Sequence, residues 1–175
     1  MNPRDEIVVV VDERNRVVGA APRWEVRAQK LIHRSTYILV FNSVGQLFLH
    51  KRSATKDVYP GRYDPAVGGV VCAGEDYDEG ARRELEEELG VTDARLTTLF
   101  DFYFSDGTAP VWGRAYSCTH DGAVILQREE IASGGFLPID QVLERSETEL
   151  FTPDGLQVLR LYLNLKPEPG TCTRL

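Results

Sequence analysis

Hydrophobic positions along the chain change period several times, and each change marks an element. Ile7–Val11 is a β-branched run closed by Asp12-Glu13-Arg14-Asn15 and followed by residues 16–20, which reads as an N-terminal β-hairpin. Residues 36–41 and 46–50 form a second strand pair around Asn42-Ser43-Val44-Gly45. Residues 51–63 are basic and polar around Pro60-Gly61 and read as a loop. Residues 66–71 then read as a strand with a glycine-marked bulge. The clearest helix spans residues 76–89, with Asp76 as N-cap, Glu79 at capping-box spacing and Gly90 just past the end. Its apolar stripe is Ala81, Leu85 and Leu89.

Strands follow at residues 96–104 and at Val111–Thr119, where residues alternate in facing. A short strand at residues 135–137 precedes a helix from Ile139, and Thr152-Pro153 opens a last helix through about residue 163. Strands alternating with two or three helices, without repeat or linker, predict one α/β domain over residues 1–165 and a loose tail at residues 166–175. The chain is long enough for one substantial core.

The net charge of −7 disfavours a stable nucleic-acid complex, which would need clustered Lys and Arg to neutralise phosphates. Much of that charge lies between Glu75 and Glu88 and points to a local cation site. Cys72, Cys118 and Cys172 lack disulfide or zinc spacing, and residues 7–11 are too short to span a membrane, so a cytoplasmic location is expected.

On a helix Glu84, Glu87 and Glu88 stand at i, i+3 and i+4, so three like charges share one face. A divalent cation would turn their repulsion into attraction, and oxygen-only ligands suit Mg²⁺. Arg83 can pair with Glu75 or Glu87 and fix a carboxylate's orientation. A solvated acidic face is the alternative for any such run. Here Gly69, Glu75 after five residues, Arg83-Glu84-Leu85 after seven more, then Glu87-Glu88, Gly90 and Val91 satisfy all nine specified positions of the Nudix box, GX5EX7REUXEEXGU.

The chain therefore resembles the Nudix hydrolases. That resemblance implies an α/β/α sandwich with a mixed central sheet, and Glu84, Glu87 and Glu88 as Mg²⁺ ligands, with Mn²⁺ as a substitute. It also implies a backbone carbonyl ligand from Gly69 and a structural or water-mediated role for Glu75. The expected reaction is metal-assisted cleavage of a diphosphate bond in a nucleoside diphosphate derivative or related small compound. The expected base is Glu87 or Glu88, then Glu130 from a later loop. Lys51, Arg52 and Lys56 form a basic cluster suited to gripping the diphosphate. Tyr63, Phe102, Tyr103, Phe104 and Trp112 offer rings for stacking a base or for core packing. A homodimer is common among such folds.

Outside the box, His33–Gly45, Lys51-Arg52, Lys56, Pro60-Gly61, Asp64, Phe136-Leu137-Pro138 and Phe151-Thr152-Pro153-Asp154 resemble the isopentenyl-diphosphate-isomerase-like branch of the family. The isomerase pattern has a cysteine where this chain has Gly68, a histidine where it has Val70, and glutamates near Val111. Hydrolysis is therefore expected over isomerisation. A nucleotide-sensing module without turnover is the other alternative.

Overall fold

The computed structural model describes residues 3–165. The tail expected at residues 166–175 lies outside them. After a 3-10 turn at Pro3–Asp5 come β1 (Ile7–Val11), β2 (Val17–Pro22), α1 (Arg23–Ala28), β3 (His33–Phe41), β4 (Leu47–Arg52) and β5 (Tyr63–Asp64). The chain continues with α2 (Tyr77–Leu89), β6 (Thr97–Phe104), β7 (Val111–Thr119), β8 (Ile131–Leu137), α3 (Ile139–Thr148) and α4 (Pro153–Leu165). The strands form one open mixed sheet: β3 runs parallel to β7, and the pairs β1/β2, β6/β7 and β4/β8 are antiparallel.

Every residue of β3 from Ser35 to Phe41 is buried, because the strand has helices on both sides. Ile38 and Val40 pack with Tyr77, Ala81, Leu85 and Leu89 of α2. Tyr37, Leu39 and Phe41 point the other way, into a cluster with Val142 of α3 and Val158 and Leu159 of α4. The period of two along one strand thus creates both layers of the sandwich. A smaller cluster, Val8, Val26 and Val70, seats α1.

α2 has the ends its sequence predicts. Asp76 accepts a hydrogen bond from the Glu79 amide at 2.8 Å, and the Glu79 carboxylate accepts one from the Asp76 amide at 2.9 Å. Gly90 closes the helix in the left-handed conformation, at φ 69°.

Two expectations need correction, and one short helix has no counterpart in the sequence reading. Residues 66–71 make isolated bridges, Val67 to Ile38 and Val70 to Ser35, instead of a continuous strand. The interruption is Gly68, whose φ of +143° breaks the ladder. β8 begins at Ile131, well before residue 135. Its Gly134 looks like loop sequence, yet a Cβ there would stand 2.6 Å from the Phe48 ring, so the strand needs a small residue against that core side chain. Finally, α1 has only six residues, follows Pro22 and has no side-chain cap, so little in the sequence announces it. No helix among the described residues is long and apolar enough to cross a membrane.

Candidate active site

The box helix and the residues before it meet on one side of a cavity of about 620 Å³, a size suited to a small-molecule ligand. Arg83 organises that side. Its Nε and Nη2 donate to the two oxygens of Glu75 at 2.7 and 3.1 Å, its Nη1 to Glu84 at 2.8 Å and Glu87 at 3.1 Å, and its Nη2 also to the Val70 carbonyl at 3.0 Å. One planar guanidinium thus fixes three carboxylates and the backbone strand beside them. Burial works against the charge of Arg83, but its bonds to Glu75 and Glu84 hold it above the ordinary arginine range. Burial also opposes ionisation of Glu75, yet bonds from Arg83 and the Cys72 amide keep that carboxyl below its usual range.

Glu84 and Glu88 point inward, whereas the Glu87 side chain is half exposed at the cavity. Burial pushes the Glu84 carboxyl up, and Arg83 opposes that shift. Glu88 is pushed up by burial and by the charge of Glu84, while burial pushes its neighbour Lys56 down. Glu88 Oε2 is shielded from solvent and has no hydrogen-bond partner. Gly69 lies directly against Glu84: a Cβ there would stand 2.6 Å from Glu84 Oε1. The Gly69 carbonyl accepts from the Thr36 amide at 2.8 Å and from the Thr36 hydroxyl at 3.4 Å.

Among the described residues no three Asp, Glu, His or Cys groups converge as a ready cation cage. Cationic side chains stand among the carboxylates instead. Lys56 Nζ contacts Glu130 and lies 4.0 Å from Glu88, while Arg83 spans Glu84 and Glu87. The loop acid Glu130 therefore reaches the same cavity as the box helix.

The three predicted cations separate. Lys56 faces the cavity. Arg52 lines it too, but its Nε and Nη2 donate to the Val58 carbonyl at 3.3 and 3.0 Å, and Nη1 lies 3.6 Å from Asp64. Lys51 lies over the Tyr63 ring at 5.4 Å, outside the cavity lining. Adjacent residues on a strand face opposite sides, so Lys51 and Arg52 cannot share a task on β4. Of the five candidate stacking rings only Phe104 lines the cavity. Phe102 is core, Tyr103 packs on Trp112 and Tyr63 on Phe151.

The site also contains residues to which the sequence reading gave no role. Arg23 and Arg27 of α1 line it, as do Tyr37, Tyr59 and Asp154. Tyr37 donates its hydroxyl to Asp154 Oδ2 at 2.9 Å. Burial first, and the nearby Asp154 charge second, push the buried Asp64 carboxyl up to about 7. A carboxyl whose folded pKa exceeds its unfolded one binds protons more tightly when folded, so its contribution is full below about 3.8 and is lost as pH rises towards about 7. Asp64→Asn is expected to flatten part of the fall in thermal midpoint across that window. Melting curves at pH 4 to 7.5 check this; equal slopes for variant and wild type would refute it.

Comparison with known proteins adds to this geometry. Residues 31–160 match the family described as the NUDIX domain. A Pseudomonas aeruginosa protein described as an uncharacterized Nudix hydrolase is 44% identical over 91% of this chain and 94% of its own length. A Streptomyces coelicolor protein of the same description is 46% identical, covering 89% of this chain and 87% of its own. Among solved structures, a Deinococcus radiodurans protein superposes with a TM-score of 0.78 at 30% identity, covering 89% of this chain and 98% of its own.

Proposed function

The chain belongs to the Nudix hydrolases, and from that premise we propose that it is a Mg²⁺-dependent enzyme cleaving a diphosphate bond in a nucleoside diphosphate derivative or related small phosphorylated compound. The observation that carries this reading is the box face of α2, where Glu84 lies against Gly69, Glu84 and Glu87 line the cavity and the buried Glu88 Oε2 beside them has no hydrogen-bond partner. A buried carboxylate oxygen without a donor is costly in a folded protein. A hard cation would satisfy it.

The donor set is all oxygen, as Mg²⁺ and its substitute Mn²⁺ require. Glu84, Glu87 and Glu88 with the Gly69 carbonyl would hold the ion, with Arg83 and Glu75 orienting them. When bound there, the cation supplies polarisation of phosphoryl oxygens and a more acidic water. Glu87, whose side chain is half exposed at the cavity, would accept a proton from the attacking water; Glu88, and then Glu130 of the cavity lining, are the other candidate bases. Lys56, freed from Glu130 by an incoming anion, donates to a phosphoryl oxygen. Arg52 braces the loop through Val58. The proposal includes a cytoplasmic location, which preserves the free thiols of Cys72 and Cys118.

Resemblance to the isomerase-like branch remains part of the reading, without the isomerase reaction. At Gly68, where the isomerase has cysteine, a Cβ would stand 2.2 Å from the Thr36 carbonyl oxygen. That backbone leaves no room for a thiol side chain. The experiment is incubation with Mg²⁺ and a panel of nucleotide sugars, dinucleotides, coenzymes and nucleoside di- and triphosphates, following release of phosphate, pyrophosphate or nucleoside monophosphate. Turnover of at least one class, abolished by chelator, is expected. Binding without turnover across the panel would favour a nucleotide-sensing module instead.

A further inference from the structure

We infer that Arg23 and Arg27, on the α1 side of the cavity, form an oxyanion subsite that takes a phosphate or carboxylate group of the substrate, opposite in chemistry to the carboxylate side on α2. The word substrate rests on the hydrolase reading; the subsite rests on charge and geometry.

Arg23 and Arg27 stand at i and i+4, so two guanidinium groups share one face of a six-residue helix, and both line the cavity. Their compensation is incomplete. Arg23 Nη1 donates to Glu6 at 2.9 Å, and Asp57 is shared, 3.8 Å from Arg23 Nη2 and 3.2 Å from Arg27 Nη1. Arg23 Nε and Arg27 Nη1 are shielded from solvent and make no hydrogen bond. The Arg27 to Asp57 contact is therefore an ion pair without hydrogen-bond geometry. A guanidinium has five N–H donors in a fixed fork, and here part of each fork is buried and unused. Burial, with the charge of Arg23 second, lowers Arg27 to about 10.

Planar forks of this kind match the oxygens of phosphate or carboxylate. The pair also has partners of its own: Glu6 and Asp57 contact the arginines, whereas Arg83 holds Glu75, Glu84 and Glu87. The cavity lining thus presents carboxylates from α2 and guanidinium groups from α1. A substrate that met both would carry its diphosphate at the carboxylates and an oxyanion at the arginines.

The test begins with the metal-free protein in chelator, titrated with inorganic phosphate by calorimetry, a measurement that needs no turnover and survives failure of the hydrolase reading. Wild-type protein is expected to bind, and Arg23→Gln and Arg27→Gln to bind at least about tenfold more weakly. Arg160→Gln, on the exposed surface of α4, controls for net charge. Arg23→Lys and Arg27→Lys, which keep the charge and the counter-ions satisfied, guard against misfolding and should recover part of the affinity. No binding by wild type, or undiminished binding by folded Gln variants, overturns the subsite. A second arm compares hydrolysis of two diphosphate compounds that differ by one added phosphate monoester. A KM rise in the Gln variants confined to the bearer of that monoester assigns the subsite to a distal anion. An equal rise for both assigns it to the diphosphate itself, and no rise for either overturns it.

Discussion

Glu88→Gln is expected to lower Mg²⁺-supported hydrolysis by about 10³-fold or more, while the metal-free protein melts at an unchanged or higher temperature. Both halves follow from where Glu88 sits. It is the deepest of the three box carboxylates, with its side chain about 4% exposed, so bulk water cannot replace it as a ligand or hydrogen-bond acceptor. The amide keeps its shape and one oxygen but removes the negative charge that would attract a cation. In the metal-free fold, that charge faces Glu84 and an unmet hydrogen-bonding need, so its removal relieves repulsion. Lys56 keeps Glu130 as partner. Steady-state kinetics and a melting curve in chelator read the two effects separately. Activity within tenfold of wild type would remove Glu88 from the site; a large loss of stability would turn it into a structural residue.

The second large effect is expected at Gly68. Gly68→Ala should cost roughly 3 kcal/mol, combining a disfavoured left-sided φ with a direct clash. The added Cβ would lie 2.2 Å from Thr36 O, 2.9 Å from Thr36 C and 3.1 Å from Thr36 Oγ1, and backbone atoms in the middle of β3 cannot move aside cheaply. For a chain of this length that cost corresponds to a midpoint about 10 °C lower. Because Gly69 and the Glu84 carboxylate follow immediately, activity should fall with stability. Thermal melting checks the first and hydrolysis at a temperature where the variant stays folded checks the second. A midpoint within 2 °C of wild type, roughly the scale of an ordinary surface change, would contradict the account of this backbone.

What the sequence discloses and what it hides follows the range of the interactions involved. α2 was legible because its capping box, its left-handed Gly90 and the spacing of Glu84, Glu87 and Glu88 all operate within a few residues. The partnership of Arg83 with Glu75 was legible for the same reason. Arg23 and Arg27 were not, because their importance arises only when α1 packs on β1 and faces a loop some thirty residues later. Their i, i+4 spacing was the one available signal, on a helix too short to announce itself. Lys51 was grouped with Arg52 by proximity in sequence, although strand alternation already implied that the two face apart. The sequence shortens β8 because the residues up to Gly134 read as loop, whereas the structure uses Gly134 to admit Phe48. Asp64 and Asp154 meet in the fold although ninety residues of sequence separate them.

The central claim is that the box carboxylates hold the catalytic cation. Anomalous scattering from a crystal soaked in Mn²⁺ tests it most directly. The expected result is a peak about 2.1 Å from oxygens of Glu84, Glu87 and Glu88 and near the Gly69 carbonyl, with Arg83 still holding Glu75 and Lys56 displaced from the carboxylates beside it. A peak elsewhere in the cavity, or none at millimolar Mn²⁺, would contradict it.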